Sequence, residues 1–203
     1  MNKWSTRLYD RAMEMISSSK LQKMREKVIA KSSGSVLEIG AGTGINFSLY
    51  SPNNVNAVYA IDPNTHHLQR AEIKRKQAKV PVHLYDAKAE HLPFQDDKFD
   101  TIICMLVFCT ITDPVRAISE IERVAKSGAM VLFLEHVKVD RLIIGTAQNM
   151  FNPLWKRIAD GCHLNRHTKK LIENSSLNIV ESESFYKDVF KFIRCKVPES
   201  KKS

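Results

Sequence analysis

The sequence has no apolar run long enough to cross a membrane. The longest, residues 101–112, falls well short of the roughly 18 to 20 residues that a spanning helix needs, so it reads as a buried strand with its exit loop. The opening residues, MNKWSTRLYDRAMEM, carry scattered charges and no apolar segment ending in a small-residue cleavage site, and a cytoplasmic location is expected. Cysteine is sparse: Cys104, Cys109, Cys162 and Cys195 show neither the C-x-x-C spacing of a zinc site nor the density of a secreted disulfide scaffold. Reduced thiols and no metal site are the expectation. Internal repeats and low-complexity tracts are also absent.

With 203 residues, of which 43% are hydrophobic, the chain can bury a proper core but is too short for two ordinary domains. The formal net charge is +9 and the pI is about 9.4, a balance compatible with acidic or anionic partners. Many of the basic residues lie in segments 7–31, 70–79 and 196–202, where solvated helix faces are the simplest explanation. Peripheral contact with an anionic membrane remains open. Nucleic-acid binding would call for an appended basic domain or aromatics interleaved with Lys and Arg, and neither is evident. No pattern in the sequence sets an oligomeric state.

Apolar positions at Tyr9, Met13 and Ile16, then at Leu21, Met24 and Val28, predict two amphipathic helices or one broken near residues 17–19. Residues 35–39 form a short apolar strand that runs into a glycine-rich turn, 40–44, after which a helix can begin over 46–50. A second strand, 57–61, ends at Asp62-Pro63 and precedes a Lys/Arg-rich helix over about 65–79. Strands follow at 82–85 and 101–107, the latter unbroken in its apolar character, as suits a parallel strand covered on both faces. Asp113 and Pro114 supply an N-cap and first-turn proline for a helix reaching Lys126, with Gly128 placed to terminate it. A fifth strand is expected over 130–135. Residues 140–174 read as helical pieces broken at Asn152-Pro153 and at Gly161, and the runs 177–184 and 189–197 as an antiparallel pair at a sheet edge. The alternation predicts an α/β domain with a doubly wound, mostly parallel sheet.

The most informative segment is V-L-E-I-G-A-G-T-G, residues 36–44. Glycines at the carboxyl end of a first strand let the backbone approach a nucleotide-like ligand where open α/β sheets bind one. A dinucleotide fingerprint would need glycine at position 45, where Ile45 stands; the third glycine comes early, at Gly44, and Glu38 precedes the first. Asp62, at the end of the second strand, can accept hydrogen bonds from both ribose hydroxyls of an adenosine, or simply begin the Asp-Pro turn. Asp86 and Ala87 can serve the adenine edge, though Asp86 also reads as an ordinary turn aspartate.

Over residues 36–135 the chain resembles the class I S-adenosylmethionine-dependent methyltransferases. The matching elements are E-I-G-A-G-T-G, the strand end A-I-D-P, the block D-A-K-A-E-H-L-P-F-Q-D-D-K-F-D and the strand I-I-C-M-L. The L-P-F-x-x-x-x-F-D portion is similar to the branch that includes ubiquinone and menaquinone methyltransferases. The resemblance implies a Rossmann-like fold with S-adenosylmethionine as cofactor and S-adenosylhomocysteine as product. It assigns Glu38 to the loop and the methionyl ammonium, and Gly40, Ala41, Gly42 and Gly44 to the methionine and ribose. Asn46 adjoins that loop, Asp62 and Pro63 serve the ribose, Asp86 and Ala87 bracket the adenine, and Met105 and Leu106 lie near the sulfonium. A narrower resemblance, carried by E-H-V at 135–137, Q-N-M-F-N-P-L-W at 148–155 and D-G-C-H-L-N-R at 160–166, is to the methyltransferase-like-seven family, whose human members are thiol S-methyltransferases.

The pattern along the chain divides the single domain into an N-terminal helical lid (1–31), a cofactor-binding core (35–135), an acceptor-side insertion (136–175), and edge strands with a tail (176–203). Methyl transfer from a sulfonium needs alignment in a dry pocket rather than an obligatory base, but a thiol acceptor has to lose its proton. His136, His163 and Arg166 are the catalytic candidates. Each also has a structural reading: His136 can hold a loop carbonyl, and Arg166 can pair with Asp160. Cys162 reads as a buried structural cysteine, since direct transfer needs no covalent enzyme intermediate. Trp4, Tyr9, Met13, Met150, Phe151 and Trp155 are candidates for an apolar acceptor pocket under the N-terminal lid. A small-molecule acceptor, with a thiol first, leads over a quinone or lipid at a membrane surface. An RNA methyltransferase or RNA-binding module ranks below both, because C-M-L-V-F follows the fourth strand where an N-P-P-Y motif for base amino groups would stand.

Overall fold

The computed structural model describes residues 19–139, 142–158, 161–186 and 188–199. Seven strands form one sheet: β1 (Gly34–Ile39), β2 (Val55–Ile61), β3 (Val82–Tyr85), β4 (Phe99–Met105), β5 (Ala125–His136), β6 (Asn178–Phe185) and β7 (Phe190–Lys196). Their order is β3-β2-β1-β4-β5-β7-β6. The pairs among β1 to β5 are parallel, while β7 runs antiparallel to both β5 and β6. The expected α/β architecture and its antiparallel C-terminal pair are therefore present.

Helices cover both faces of this sheet: α1 (Ser19–Ile29), α2 (Thr65–Arg75), α3 (Pro114–Val124), α4 (Leu142–Ile158) and α5 (Thr168–Glu173). Because side chains alternate along a strand, Leu37, Ile102 and Phe133 enter one apolar cluster and Val36, Ile103 and Leu132 the other. Ile118 and Ile121 of α3 and Ile172 of α5 seal the first cluster. Leu21 and Val28 of α1 and Ala71 of α2 seal the second. Helix α3 begins as its sequence requires, with the Asp113 side chain accepting from the Arg116 amide at 3.0 Å and Pro114 in the first turn.

Several local expectations are corrected. Gly128 does not end α3. The helix stops at Val124, and Gly128, at φ +74°, lies inside β5. There the pairing jumps from Phe99↔Ala125 to Thr101↔Met130, so the glycine marks a bulge made by pairing with β4 rather than a helix cap. The helix expected over 46–50 is a single 3-10 turn, Phe47–Leu49, cut short before Pro52. Helix α2 ends at Arg75, sooner than expected. Helix α4 continues through Pro153 instead of breaking there. The proline removes one amide donor, and Asn149, four residues back, is exposed, so its carbonyl can turn to water.

The motif residues around α4 are clamps. Gln148 accepts from the Val139 amide at 2.8 Å and donates to the Val137 carbonyl at 3.0 Å, while Asn152 accepts from the Leu164 amide at 2.9 Å. No helix among the described residues is long and apolar enough to cross a membrane. The proposed N-terminal helix with Trp4, Tyr9, Met13 and Ile16 lies outside the described residues, as does Asp160, the suggested partner of Arg166.

Candidate active site

Strand order reverses between β1 and β4, and the carboxyl ends of β1, β2 and β4 open there into a cavity of about 380 Å³. The loop after β1 contributes Gly40, Ala41, Gly42 and Asn46 to its wall, and the end of β2 contributes Asp62 and Pro63. Ala87, beyond β3, and Met105 and Leu106, at the end of β4, complete the predicted residues found there. Asp86 is exposed and does not line the cavity. Glu38 and Gly44 also stand back from it.

The three loop glycines have different reasons to be glycine. A Cβ on Gly40 would strike the Val107 side chain, and one on Gly44 would strike the Phe47 ring. At Gly42, with φ +55°, an added Cβ meets nothing within 4 Å, because it would project into open cavity. The Gly42 amide donates to Asp62 Oδ2 at 2.9 Å. The other carboxylate oxygen accepts from the Asn64 amide at 2.9 Å and faces His67 Nδ1 at 3.3 Å. Asp62 thus shapes the turn into α2 and fastens the glycine loop to β2, and its oxygens retain lone pairs for a ligand.

Behind the loop, Glu38 accepts from Asn46 Nδ2 at 2.7 Å and from the Tyr50 hydroxyl at 2.8 Å. Burial raises the Glu38 carboxyl from its usual 4.5 to about 7, against the lowering effects of Asn46, Tyr50 and the Arg25 charge. Burial and the Glu38 charge push the Tyr50 hydroxyl upward. Asn46 is only 4% exposed, and its Oδ1 has no hydrogen-bond partner.

The wall beyond β4 is held by Glu135. Leu106 sits at φ +55°, uncommon for a leucine, and its amide donates to the Leu134 carbonyl at 2.8 Å. The next two amides, of Val107 and Phe108, donate to Glu135 Oε1 at 3.0 and 3.1 Å. Burial pushes the Glu135 carboxyl up to about 8.

The three catalytic candidates gather beyond that wall. His136 Nε2 lies 2.9 Å from Cys162 Sγ. Burial lowers the imidazole's proton affinity, but the Cys162 contact and the Glu135 charge outweigh it and leave the value raised. Cys109 packs against Cys162 under Trp155, a grouping with no spacing signal. A hydrogen bond between the two sulfurs raises Cys109 and lowers Cys162. The Arg166 guanidinium donates to the Ile111 carbonyl, on the cavity wall, at 2.6 Å. His163 donates its backbone amide to the Cys109 carbonyl at 2.8 Å, and burial, then the charges of Arg166 and Lys156, lower its imidazole. Of the substrate candidates, Met150 is 68% exposed, Trp155 covers the two cysteines rather than lining the cavity, and Tyr9 lies outside the described residues.

Comparison with known proteins agrees with this architecture. Residues 37–133 match the family described as "Methyltransferase domain". Thiol S-methyltransferase TMT1B of Rattus norvegicus is 34% identical over 73% of this chain and 62% of that protein, and its counterpart in Mus musculus is 32% identical over 84% and 75%. The chain thus spans less than two thirds of the rat relative's length. Phosphatidylethanolamine N-methyltransferase of Cereibacter sphaeroides is 34% identical over 66% of each chain. Among solved structures, a putative methyltransferase from Bacillus halodurans superposes with a TM-score of 0.72 at 17% identity, covering 89% of this chain and all of that one, a likeness of fold alone. By sequence relationship and fold together, the chain belongs to the class I S-adenosylmethionine-dependent methyltransferases.

Proposed function

We propose that the protein transfers a methyl group from S-adenosylmethionine to a small-molecule thiol. The cavity fits the cofactor on two counts. Gly42 leaves open the space that any side chain would fill, and the buried Asn46 Oδ1 is an unpaired acceptor suited to an ammonium group. Asn46, oriented by Glu38, would hold the amino-acid end, Asp62 the ribose hydroxyls, and the Ala87 segment the adenine edge. Met105 and Leu106 would exclude water from the reacting end. When bound, the cofactor supplies an activated methyl carbon, so the chain's own task is to align an acceptor and favour its deprotonated form.

The observation that carries the thiol reading is Arg166, a half-buried cation fastened to the cavity wall through Ile111. A cation at that wall favours a thiolate over a thiol. The TMT1B relatives support the same choice. A lipid amine is the second reading, favoured by the phosphatidylethanolamine N-methyltransferase relative and by the basic residues Arg70, Lys74 and Lys88 along the cavity.

The deciding experiment is transfer of isotopically labelled methyl to a panel of alkyl and aryl thiols, phenols, quinols, amines and phosphatidylethanolamine vesicles. Label on a thiol sulfur is expected. Label on phosphatidylethanolamine or quinol, with none on any thiol, would replace this reading with the lipid or quinone one.

A further inference from the structure

We propose that Cys109, His136 and Cys162 form a binding site for a soft divalent cation of the zinc type. The three residues come from separate segments: the loop after β4, the last residue of β5 and the turn that follows α4. The fold nevertheless brings their Sγ and Nε2 atoms within 4.8 Å of one another, and no other group of three such ligands occurs among the described residues. Cys109 is 3% exposed and Cys162 is 7% exposed, so the donors converge in a space nearly closed to solvent.

Two sulfurs and one imidazole are a donor set that selects zinc-like cations over magnesium or calcium. Metal–sulfur bonds of about 2.3 Å and metal–nitrogen bonds of about 2.0 Å, at tetrahedral angles, separate the donors by roughly 3.5 to 3.8 Å. The 2.9 Å His136–Cys162 contact would open by roughly 0.6 Å to reach that spacing, and the three donor atoms already lie within 4.8 Å of one another. Apart from its sulfur neighbour, Cys109 has only a 3.6 Å contact with the Leu106 carbonyl, and the half-buried His136 imidazole faces Cys162. Such polar groups are costly to gather in a dry space for packing alone. A cation would use the two sulfurs and Nε2 together, leaving Nδ1 to carry the imidazole proton.

The placement has a consequence for the wall of the cofactor cavity. Leu106, Val107, Thr110 and Ile111 line that cavity, while Cys109, between them, faces the opposite way onto His136 and Cys162. A cation here would tie the wall segment to β5 and to the turn that carries His163 and Arg166. Three protein donors also leave one tetrahedral position open.

The test uses the full chain, reduced and stripped with a chelator, then titrated with Co²⁺ alone. Binding of one cation per chain is expected, with sulfur-to-cobalt charge-transfer absorption and visible bands of a tetrahedral site, both abolished by competing Zn²⁺. Cys109→Ser and His136→Gln should each weaken binding at least tenfold, whereas Cys195→Ala, on β7 and outside the cluster, should bind like the parent. Should a substitution unfold the chain, Zn²⁺ protection of two thiols from alkylation in the unmodified protein reads the same site. Absence of charge-transfer absorption, unprotected thiols, or binding indifferent to Cys109 and His136 would overturn the proposal in favour of a metal-free thiolate–imidazole pair.

Discussion

The Gly42 amide and the Asp62 carboxylate lie 2.9 Å apart, joining the glycine loop of β1 to the end of β2. One carboxylate therefore sets the shape of the loop and also presents acceptors to the cavity that the loop borders. Substitution at Asp62 acts on both.

Asp62→Ala is expected to weaken binding of S-adenosylhomocysteine by about 1.5 to 3 kcal/mol, roughly tenfold or more, because a charged acceptor is lost and the Gly42 amide is released. Asp62→Asn should lose less, since its amide oxygen can still accept. Titration calorimetry on both variants measures the difference. Equal affinity in Asp62→Ala and the parent would remove Asp62 from the cofactor site.

Gly42 and Gly44 should separate binding from folding. Gly42→Val places its side chain in the cavity, so it should abolish cofactor binding while the chain stays folded, at a conformational cost of about 1 to 2 kcal/mol for the left-handed backbone. Gly44→Val drives into the Phe47 ring and should lower the melting temperature much further. Melting curves with and without S-adenosylhomocysteine test the contrast, and a Gly42→Val protein that still gains stability from the ligand would count against the assignment.

How far these features could be read beforehand depended on how local their signals are. The glycine turn, the carboxylate at the end of β2 and the Asp113-Pro114 cap are encoded within a few residues, and each stands where its local chemistry puts it. Gly128 misled because a glycine after a helical pattern also fits a bulge, and pairing of β5 with β4 decided between them. The 135–137 and 160–166 segments carried a family likeness but not their geometry. Neither the two wall amides held by Glu135 nor the meeting of Cys109, His136 and Cys162 has a spacing rule, since both arise only when the ends of β4 and β5 lie side by side.

Glu135 gives a stability prediction. Glu135→Ala leaves the Val107 and Phe108 amides without their shared acceptor and opens a void, which should cost about 2 to 4 kcal/mol in urea unfolding. Glu135→Gln keeps an oxygen at the same point and should cost much less. Equal losses in the two variants would show that the acceptor oxygen at this position does not hold the wall.

Glu38 gives a pH dependence whose sign follows from burial. Its carboxyl is raised from 4.5 to about 7, so the folded chain holds this proton more tightly than the unfolded chain. The resulting stability is full below about pH 4.5, is lost as pH rises through about 7, and changes little above that. Cofactor binding should run the other way. Asn46 joins Glu38 to the cavity, and a cationic ammonium beside Asn46 Oδ1 favours the ionised carboxylate, as Arg25 already does. Affinity for S-adenosylhomocysteine should therefore fall by up to about tenfold between pH 8 and pH 6, with proton release on binding in the acidic range. Adenosine lacks the ammonium group and should show no such fall. Glu38→Gln preserves an acceptor for Asn46 or Tyr50 but cannot ionise, so its pH profile should flatten. Calorimetry in buffers of different ionisation heat reads the released proton directly, and a parent profile as flat as that of Glu38→Gln would separate Glu38 from the ammonium end of the site.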